Sequence, residues 1–458
     1  MAVKQVERKK RWYRKQKRQF SQTQTIAVGF LIMILIGTAL LMLPIAAKSG
    51  EPTSFFDALF TAVSAGCVTG LVTVDTCTHW TIFGQIVILL MIQIGGLGFI
   101  TIGIFFSILL RRKISLRERG LMQESVNTLQ IGGIIKLAHK IIKGTFIIEG
   151  IGALILAIRF SFQLGIVKGI YYGIFHSISA FCNAGFDLMG YQEEYISLVP
   201  YSADIVVNIT IMLLVVTGGI GFIVWDDVTR HGLKFKKYML HTKIVLVSTA
   251  FLLFSGAFLF WVLERNNILA EKGILEQILC SMFASVTART AGFNTVDLAK
   301  LTDAGKFLNV VLMFIGGSPG STAGGIKTTT IVVILMYIWS NMKRTYGCNL
   351  FGRRLDSESI VKASAVFCTN LFLATAAVLF ISAVQVLPVA DVLLEVFSAI
   401  GTVGMSTGIT RELLLPSRIA IIILMYCGRI GSLSFALSFT QKKRIAPVQQ
   451  PVEQINIG

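Results

Sequence analysis

The chain has 458 residues, of which 54% are hydrophobic and only 14% are charged. Its mean hydropathy of +0.73, with apolar stretches from end to end, excludes a set of soluble domains and predicts one membrane domain over residues 1–458, solvated by membrane lipids. The net charge of +18 lies mostly beside the apolar stretches. It therefore reflects membrane topology and does not indicate a nucleic-acid partner.

The first segment is strongly basic. Residues 1–20 contain the run KKRWYRKQKR, and the apolar run that follows is longer than the roughly 7 to 15 residues of a signal-peptide core. We therefore expect a basic cytoplasmic N-terminus at residues 1–20 and an uncleaved first span.

Apolar segments of the roughly twenty residues needed to cross a bilayer recur along the chain. The sequence predicts eight spans, at about residues 26–46, 82–110, 141–164, 204–226, 244–263, 306–340, 361–386 and 417–440. Shorter apolar runs, too brief to cross, lie between them at about 54–66, 169–181, 274–287 and 389–400. We interpret these shorter runs as re-entrant half-helices.

Each short run leads into a loop with the same local pattern. The central glycines of the loops are separated by 115, 107 and 112 residues and are Gly70, Gly185, Gly292 and Gly404. A Ser-Ala pair stands six and five residues before the glycine in three copies, and a Thr-Ala pair stands one residue closer in the third copy. This regularity predicts a fourfold internal repeat.

The expected fold is an all-α membrane protein with one pseudo-fourfold pore. Each repeat is predicted to contain a helix, a re-entrant pore helix with its loop, and a second helix, an arrangement called M1-P-M2. Four such repeats give eight spans and lie at about residues 23–112, 136–230, 241–343 and 358–441.

Basic residues cluster on one side of the predicted membrane. Beyond residue 20 they lie at 111–113, 234–237, 343–344, 353–354 and 442–444, whereas the other side holds Asp57, Asp75, Asp187, Glu193, Glu194, Glu271, Glu276 and Asp297. Because basic flanks stay inside, both termini are expected to be cytoplasmic, including a tail at 442–458. The acidic residues would concentrate cations at the outer mouth.

The four glycine loops are the candidate functional site. Non-helical backbone at membrane depth is tolerated only where it is buried in protein or lines a water-filled cavity. Glycine allows successive carbonyls to point the same way, and a ring of carbonyls can replace the hydration shell of an alkali cation. The alternative is that the glycines serve close helix packing, but four equivalent copies favour a pore. The candidate selectivity filter for an alkali cation is Val68, Thr69, Gly70, Asn183, Ala184, Gly185, Thr290, Ala291, Gly292, Thr402, Val403 and Gly404.

A second glycine-rich tract, GGSPGSTAGGIKT at 316–328, interrupts the predicted span 306–340. A proline among five glycines cannot hold a continuous helix, so we expect an irregular loop that obstructs the pore below the filter. A phosphate-binding loop is disfavoured because Ile326 separates Gly325 from Lys327. The candidate gate is Gly316, Gly317, Ser318, Pro319, Gly320, Ser321, Thr322, Ala323, Gly324 and Gly325, together with Arg429.

Arg429 is a charged residue inside an apolar segment. Such charges usually face a cavity or a partner, so we expect Arg429 to contact the irregular loop and to act as a positive barrier to cations. The alternative is that it pairs with free helix carbonyls. Glu149 and Arg159 share one helix but lie about 15 Å apart along it, so each needs another partner.

Other chemistry has little support in the sequence. The five histidines are dispersed, and none of the seven cysteines forms a CxxC pair, so we expect no enzyme activity and no metal site other than that of the alkali cation at the filter. Cys67 and Cys77 are interpreted as packing residues rather than as a disulfide.

The loop motifs resemble those of the Trk/Ktr/HKT superfamily of potassium transporters, over residues 20–445. They are VTGL (68–71), NAGFD (183–187), TAGFN (290–294) and TVGMS (402–406), with QIGGLGF (93–99), GGIGF (218–222) and GRIG (428–431) further along each repeat. The chain most resembles the KtrB-type ion-translocating subunits, because Trk-type relatives carry extra N-terminal spans. Some plant HKT relatives have serine in the first loop, so Gly70 implies selectivity for potassium over sodium.

The resemblance also implies partners. It implies a homodimer with one pore per subunit, the gating role of the loop at 316–328, and control by a KtrA-like cytoplasmic ring that binds ATP, ADP or a related nucleotide. No nucleotide is expected on this chain. The expected docking surface is the basic loops around 111–120, 230–243 and 343–354, although their charge is equally explained by orientation alone.

Two transport mechanisms remain open from the sequence. One is a gated potassium conduit, and the other is a secondary transporter that couples Na+ to K+, since broken helices occur in that class too. Flux measured with and without sodium distinguishes them.

Overall fold

The computed structural model describes residues 21–98, 101–103, 115–126, 133–345 and 347–431, with isolated positions at 107, 110, 451 and 453. The predicted N-terminus at 1–20 and tail at 442–458 lie outside this part, apart from two isolated tail positions. The basic clusters at 111–113 and 442–444 lie outside it as well.

Helices account for nearly all the regular structure of the described residues. In chain order they are α1 (Gln22–Leu41), α2 (Phe55–Cys67), α3 (Ile82–Leu97), α4 (Leu116–Val126), α5 (Ile134–Leu164), α6 (Ile166–Phe181), α7 (Ile205–Ile220), α8 (Phe222–His231), α9 (Leu240–Glu264), α10 (Ile274–Thr287), α11 (Asp303–Phe314), α12 (Thr328–Met342), α13 (Ser357–Val384), α14 (Val389–Gly401) and α15 (Leu415–Ile430). A small antiparallel hairpin pairs β1 (Asn349–Leu350) with β2 (Arg353–Arg354). Six short 3₁₀ turns lie at Pro44–Ala46, Met189–Tyr191, Val199–Tyr201, Phe235–Lys237, Leu298–Lys300 and Ile409–Arg411.

Side-chain caps in the sequence set where several helices begin. Ser21 and Gln24 form a reciprocal capping box at the start of α1. The hydroxyl of Ser54 accepts from the amide of Asp57 at the start of α2, and Asp204 caps α7 in the same way. These caps satisfy amides that the first helical turn leaves free.

The eight predicted spans are not confirmed as eight continuous helices. Within the described residues, four helices are long and apolar enough to cross a membrane, namely α1, α5, α9 and α13, and a fifth results if α7 and α8, which are bent by 95°, count as one. The predicted spans 82–110, 204–226 and 306–340 are instead interrupted. Helices end at Gly98 and Gly221, which have φ of 80° and 104°, and α15 likewise ends at Gly431 with φ of 96°. A positive φ ends a right-handed helix, and glycine adopts it without a Cβ clash.

The four predicted half-helices correspond to short helices. They are α2, α6, α10 and α14, and each ends beside one of the glycine loops. Their inner ends are fully buried, whereas long faces of α5 and α9 expose large apolar side chains such as Phe162 and Phe254. Buried inner ends bring the loops into the centre of the molecule, and the exposed apolar faces suit contact with lipid.

Apart from α4, the helices fall into four sets in chain order, α1–α3, α5–α8, α9–α12 and α13–α15, and each set contains one short helix. Each short helix is bound near its outer end to the preceding set, and the set that precedes the first is the fourth. The pairs are Tyr171 with Gln85 at 2.8 Å, Ser202 with Glu276 at 2.7 Å, Lys306 with Asp391 at 2.8 Å, and Arg418 with Asp57 at 3.1 Å. The last pair joins the fourth set back to the first. These contacts therefore join the four helix sets in a closed order.

Two further sequence expectations concern single side chains. All seven cysteines are free, including Cys67 and Cys77, so no disulfide joins that pair. Arg159 forms an ion pair with Asp204 at 2.6 Å. Glu149 accepts hydrogen bonds from Gln93 Nε2 at 3.1 and 3.2 Å, a partner that the sequence did not identify.

Candidate functional site

The four loop glycines lie against one another in a closed order. A Cβ atom built on Gly70 would lie 2.5 Å from the carbonyl oxygen of Ala184, one on Gly185 2.8 Å from that of Ala291, and one on Gly292 2.6 Å from that of Val403. A Cβ on Gly404 would meet the carbonyl oxygen of Thr69 still more closely and so closes the ring. Each loop thus leaves room for the main chain of the next loop only because its central residue is glycine.

The loop backbones share an unusual conformation. The residue two before each glycine has a positive φ, between 51° and 70°, and these residues are Val68, Asn183, Thr290 and Thr402. The glycines themselves have φ of 96°, 70°, 82° and 94°. Non-glycine residues rarely adopt positive φ, and such outliers concentrate at functional sites. Their recurrence at one position of every loop indicates a shared main-chain geometry.

The Ser-Ala and Thr-Ala pairs hold the loops in two different ways. The hydroxyls of Ser64 and Ser398 accept from the amides of Gly70 and Gly404, both at 3.0 Å. In the other two loops the hydroxyl donates instead, from Ser179 to Phe186 O and from Thr287 to Phe293 O, both at 2.7 Å. The first and fourth loops are therefore anchored alike, and so are the second and third.

All twelve candidate filter residues are buried. The side chain of Asn183 points below the ring, where its amide nitrogen lies 3.5 Å from Thr290 Oγ1 and its oxygen accepts from Thr322 Oγ1 at 2.9 Å. The structure therefore brings the filter candidates together and joins the second loop to the candidate gate.

The loop glycines line a cavity of about 420 Å³ on the predicted outer side. Its acidic lining residues are Asp75, Asp187, Glu193, Glu194 and Asp297, and its basic ones are Lys300 and Arg411. Burial raises the pKa of the Asp187 carboxyl to about 7, and the amide of Met189 opposes this shift. Asp187 therefore contributes only part of a negative charge near neutral pH.

Asp75 has a structural role that the sequence did not indicate. Its carboxylate accepts from the amides of Cys77 and Thr78 at 2.8 and 2.7 Å and from the amide of Tyr195 at 3.1 Å. It therefore ties the segment after the first loop to the segment after the second.

A second cavity, of about 550 Å³, lies on the other side of the ring. It shares no lining residue with the outer one, and Gly96, Gly320, Lys327 and Arg429 are among the residues that line it. The ring of loops thus lies between two separate cavities.

The candidate gate is an irregular loop, as expected from its glycines and Pro319. It runs from the end of α11 at Phe314 to the start of α12 at Thr328. Its main chain bonds to the second helix set, from Ser318 N to Gly219 O at 3.0 Å, and to the fourth, from Gly325 N to Gly428 O at 3.3 Å. The loop therefore bridges two opposite sides of the ring.

Arg429 contacts this loop and a helix end together. Its guanidinium donates to the carbonyl oxygens of Thr322, of Gly95 and, at 3.0 Å, of Gly96. Arg429 therefore contacts the irregular loop and also pairs with carbonyls at the end of a helix, which are the two contacts that the sequence suggested. The effect of Arg429 on cation flux stays a prediction. Gln93, the partner of Glu149, lies in the same helix end.

Lys327 is a second cation at the inner cavity that the sequence reasoning missed. Its Nζ donates to the carbonyl oxygens of Ala323 at 2.7 Å and Gly324 at 3.2 Å. The available signal was a lysine near the end of the glycine-rich tract, in a segment otherwise free of charge.

The chain is similar to known cation transport proteins. Residues 1–445 match the TrkH family, described as cation transport protein. The chain is 40% identical to the potassium/sodium uptake protein NtpJ of Enterococcus hirae, covering 96% of this chain and 98% of that protein. It is 41% identical to the Ktr system potassium uptake protein B of Bacillus subtilis, covering 93% and 94%. The crystal structure of the potassium transporter TrkH from Vibrio parahaemolyticus is similar in fold, with a TM-score of 0.68 at 18% identity over 93% of this chain and 86% of that one.

Proposed function

Because this chain belongs to the TrkH family of cation transport proteins and is not an enzyme, we propose that it takes up potassium across the plasma membrane through the ring of four glycine loops. The observation that carries the proposal is the closed order in which each loop glycine lies against the main chain of the next loop. Main-chain oxygens arranged in this way replace the water that a monovalent cation loses on entry.

The proposed path runs from the outer cavity through the ring to the inner cavity. Outer acids raise the local concentration of cations, and the twelve filter residues supply main-chain oxygens. Below them the loop at 316–325 obstructs the path, and Arg429 adds a positive charge at the same depth. Conduction then requires this loop to move away from the second and fourth helix sets.

The proposed topology keeps four M1-P-M2 repeats and eight spans, three of them interrupted at glycines. Interrupted spans are compatible with a membrane where the freed main chain is buried or lines a cavity. The basic flanks place both termini in the cytoplasm. The proposed assembly is a homodimer with one pore in each subunit.

A sodium-coupled potassium transporter is the second candidate, because the name of one relative includes both ions. We expect potassium uptake to continue without sodium, since the ring provides one central path. The measurement is the initial rate of potassium uptake, at matched ionic strength, by cells that lack their own potassium uptake systems. Uptake that stops when sodium is replaced by choline, and a fixed ratio of sodium to potassium entry, would establish coupling instead.

The Ktr system names of relatives support control by a KtrA-like nucleotide-binding ring on the cytoplasmic side. Two of the expected docking loops lie side by side, because the rings of Phe235 and Phe351 are 6.3 Å apart. Leu233 beside them is 98% exposed, and Lys236 and Lys237 follow it. Of the third loop, 111–120, the structure describes residues 115–120, which lead into α4.

We expect Leu233→Asp combined with Lys236→Glu to weaken binding of such a ring by roughly tenfold or more, since an exposed apolar anchor and a charge are both lost. The measurement is co-purification with the regulatory subunit together with its stimulation of flux. Val386→Asp is the matched control, because Val386 is fully exposed just after the C-terminal end of α13, whereas the expected docking loops precede its N-terminal end. Equal binding by the double variant and the control would exclude this surface.

A further inference from the structure

A carboxylate is buried behind the fourth loop. Glu395 is 1% exposed and lies on α14, nine residues before Gly404. Its Oε2 accepts from the hydroxyl of Ser406 at 2.7 Å, and its Oε1 accepts from the hydroxyl of Thr410 at 2.5 Å. None of the ion pairs among the described residues includes Glu395. Burying a carboxylate without a cation is costly, so its two hydroxyl partners are the interactions that keep it in place.

These contacts form a small network at the exit of the loop. The hydroxyls of Ser406 and Thr410 lie 2.9 Å apart, and Ser406 Oγ also accepts from the amide of Gly408 at 3.0 Å. Ser406 is only two residues after Gly404, whose amide is bonded to Ser398 on the same helix. The fourth loop is therefore fixed to α14 on both sides of its glycine.

The residue nine positions before the loop glycine differs from loop to loop. In the second loop it is His176, nine residues before Gly185, whose Nε2 lies 3.3 Å from the amide nitrogen of Leu188. In the first loop it is Thr61, and the Thr61 hydroxyl is buried with no hydrogen-bond partner in the described part of the chain. The second and fourth loops stand opposite each other in the ring. Each of them is therefore held by a buried polar side chain at this helix position, His176 or Glu395.

We propose that Glu395 is a positioning residue for ion selectivity, which fixes the main-chain oxygens of the fourth loop by binding Ser406 and Thr410. The proposal rests on the proposed function of the ring as a filter. A ring of carbonyls discriminates between two monovalent cations only while its oxygens hold their positions. A loop released on one side therefore loses discrimination before it loses conduction.

The test compares variants in cells that lack their own potassium uptake, using the ratio of initial potassium to sodium uptake rates. Glu395→Met, close in length but without acceptors, is expected to lower this ratio about tenfold while potassium still enters. Glu395→Gln is expected to keep most of the ratio, because its amide can accept from one hydroxyl and donate to the other. Thr61→Val is the matched control, and it should leave the ratio unchanged.

A second variant keeps the test informative if Glu395→Met does not fold. Ser406→Ala combined with Thr410→Val removes the same bonds from the other side, and it should cause a similar loss that Glu395→Met does not deepen. A normal ratio in Glu395→Met, or an equal loss in Glu395→Gln, would overturn the inference. Gly404→Ser in the same cells separates the two proposals: if it leaves the ratio unchanged, the filter itself is wrong, and if it collapses the ratio while Glu395→Met does not, only the role of Glu395 fails.

Discussion

Replacing Gly404 with serine is expected to abolish selective potassium uptake, and the other loop glycines should follow in the order Gly70, Gly292 and Gly185. The order is that of the distance between an added Cβ and the carbonyl oxygen of the neighbouring loop, which is shortest at Gly404 and reaches 2.8 Å at Gly185. Backbone and its carbonyl cannot move aside as a flexible side chain does, so the ring must open. The positive φ adds about 1–2 kcal/mol of strain at each site.

The measurement is growth and potassium uptake of uptake-deficient cells at low potassium. Gly50→Ser is the matched control, because Gly50 also has a positive φ of 73° but has nothing within 4 Å of an added Cβ. It therefore carries the backbone strain without the collision. Full uptake by a stably folded Gly404→Ser protein would contradict a selective path through the ring.

Replacing Arg429 with alanine is expected to raise potassium flux about three- to tenfold, because the guanidinium opposes a cation that passes below the ring. Beside a water-filled cavity, at an effective dielectric constant of about 40 to 80, a unit charge about 6 Å away opposes a cation by about 0.7–1.4 kcal/mol, which corresponds to about three- to tenfold in rate. The variant also frees the carbonyls of Thr322, Gly95 and Gly96, so the loop at 316–325 is released from one of its ties. The measurement is initial uptake without the regulatory subunit, normalised to the amount of folded protein.

Two further variants separate charge from anchoring. Arg429→Lys keeps the positive charge but not the planar fork that reaches both the loop and α3, so its flux should stay near the original value. Arg265→Ala is a control at an exposed arginine that stacks on Trp261. If Arg429→Ala folds and its flux is unchanged, Arg429 is no barrier and serves only as a tie.

The repeated glycine loops were predictable because a ring built from one chain needs the same main-chain geometry four times. That geometry requires a residue without a Cβ wherever one loop approaches the main chain of the next. The sequence therefore has glycine at position 70 and at the three equivalent positions. The irregular loop around Pro319 was predictable for a similar reason, since local residues alone prevent a helix there.

The breaks at Gly98 and Gly221 were not predicted, because a few glycines in an apolar segment change its hydropathy little. Whether such a glycine continues the helix or adopts a positive φ depends on what it packs against. At Gly221 the following amide, of Phe222, bonds to the carbonyl oxygen of Gly320 in the irregular loop.

The sequence by itself determined the membrane environment, the four loops and the residues that form them, because hydropathy and the absence of a side chain are local properties. Only the tertiary structure decided the order of the loops in the ring and the partners of Glu149, Asp75, Arg429 and Glu395. Those partners lie on other helices or loops, up to 334 residues away in the case of Arg429 and Gly95. A buried polar group can find its partner only after packing has brought the two together, so its role follows from the fold.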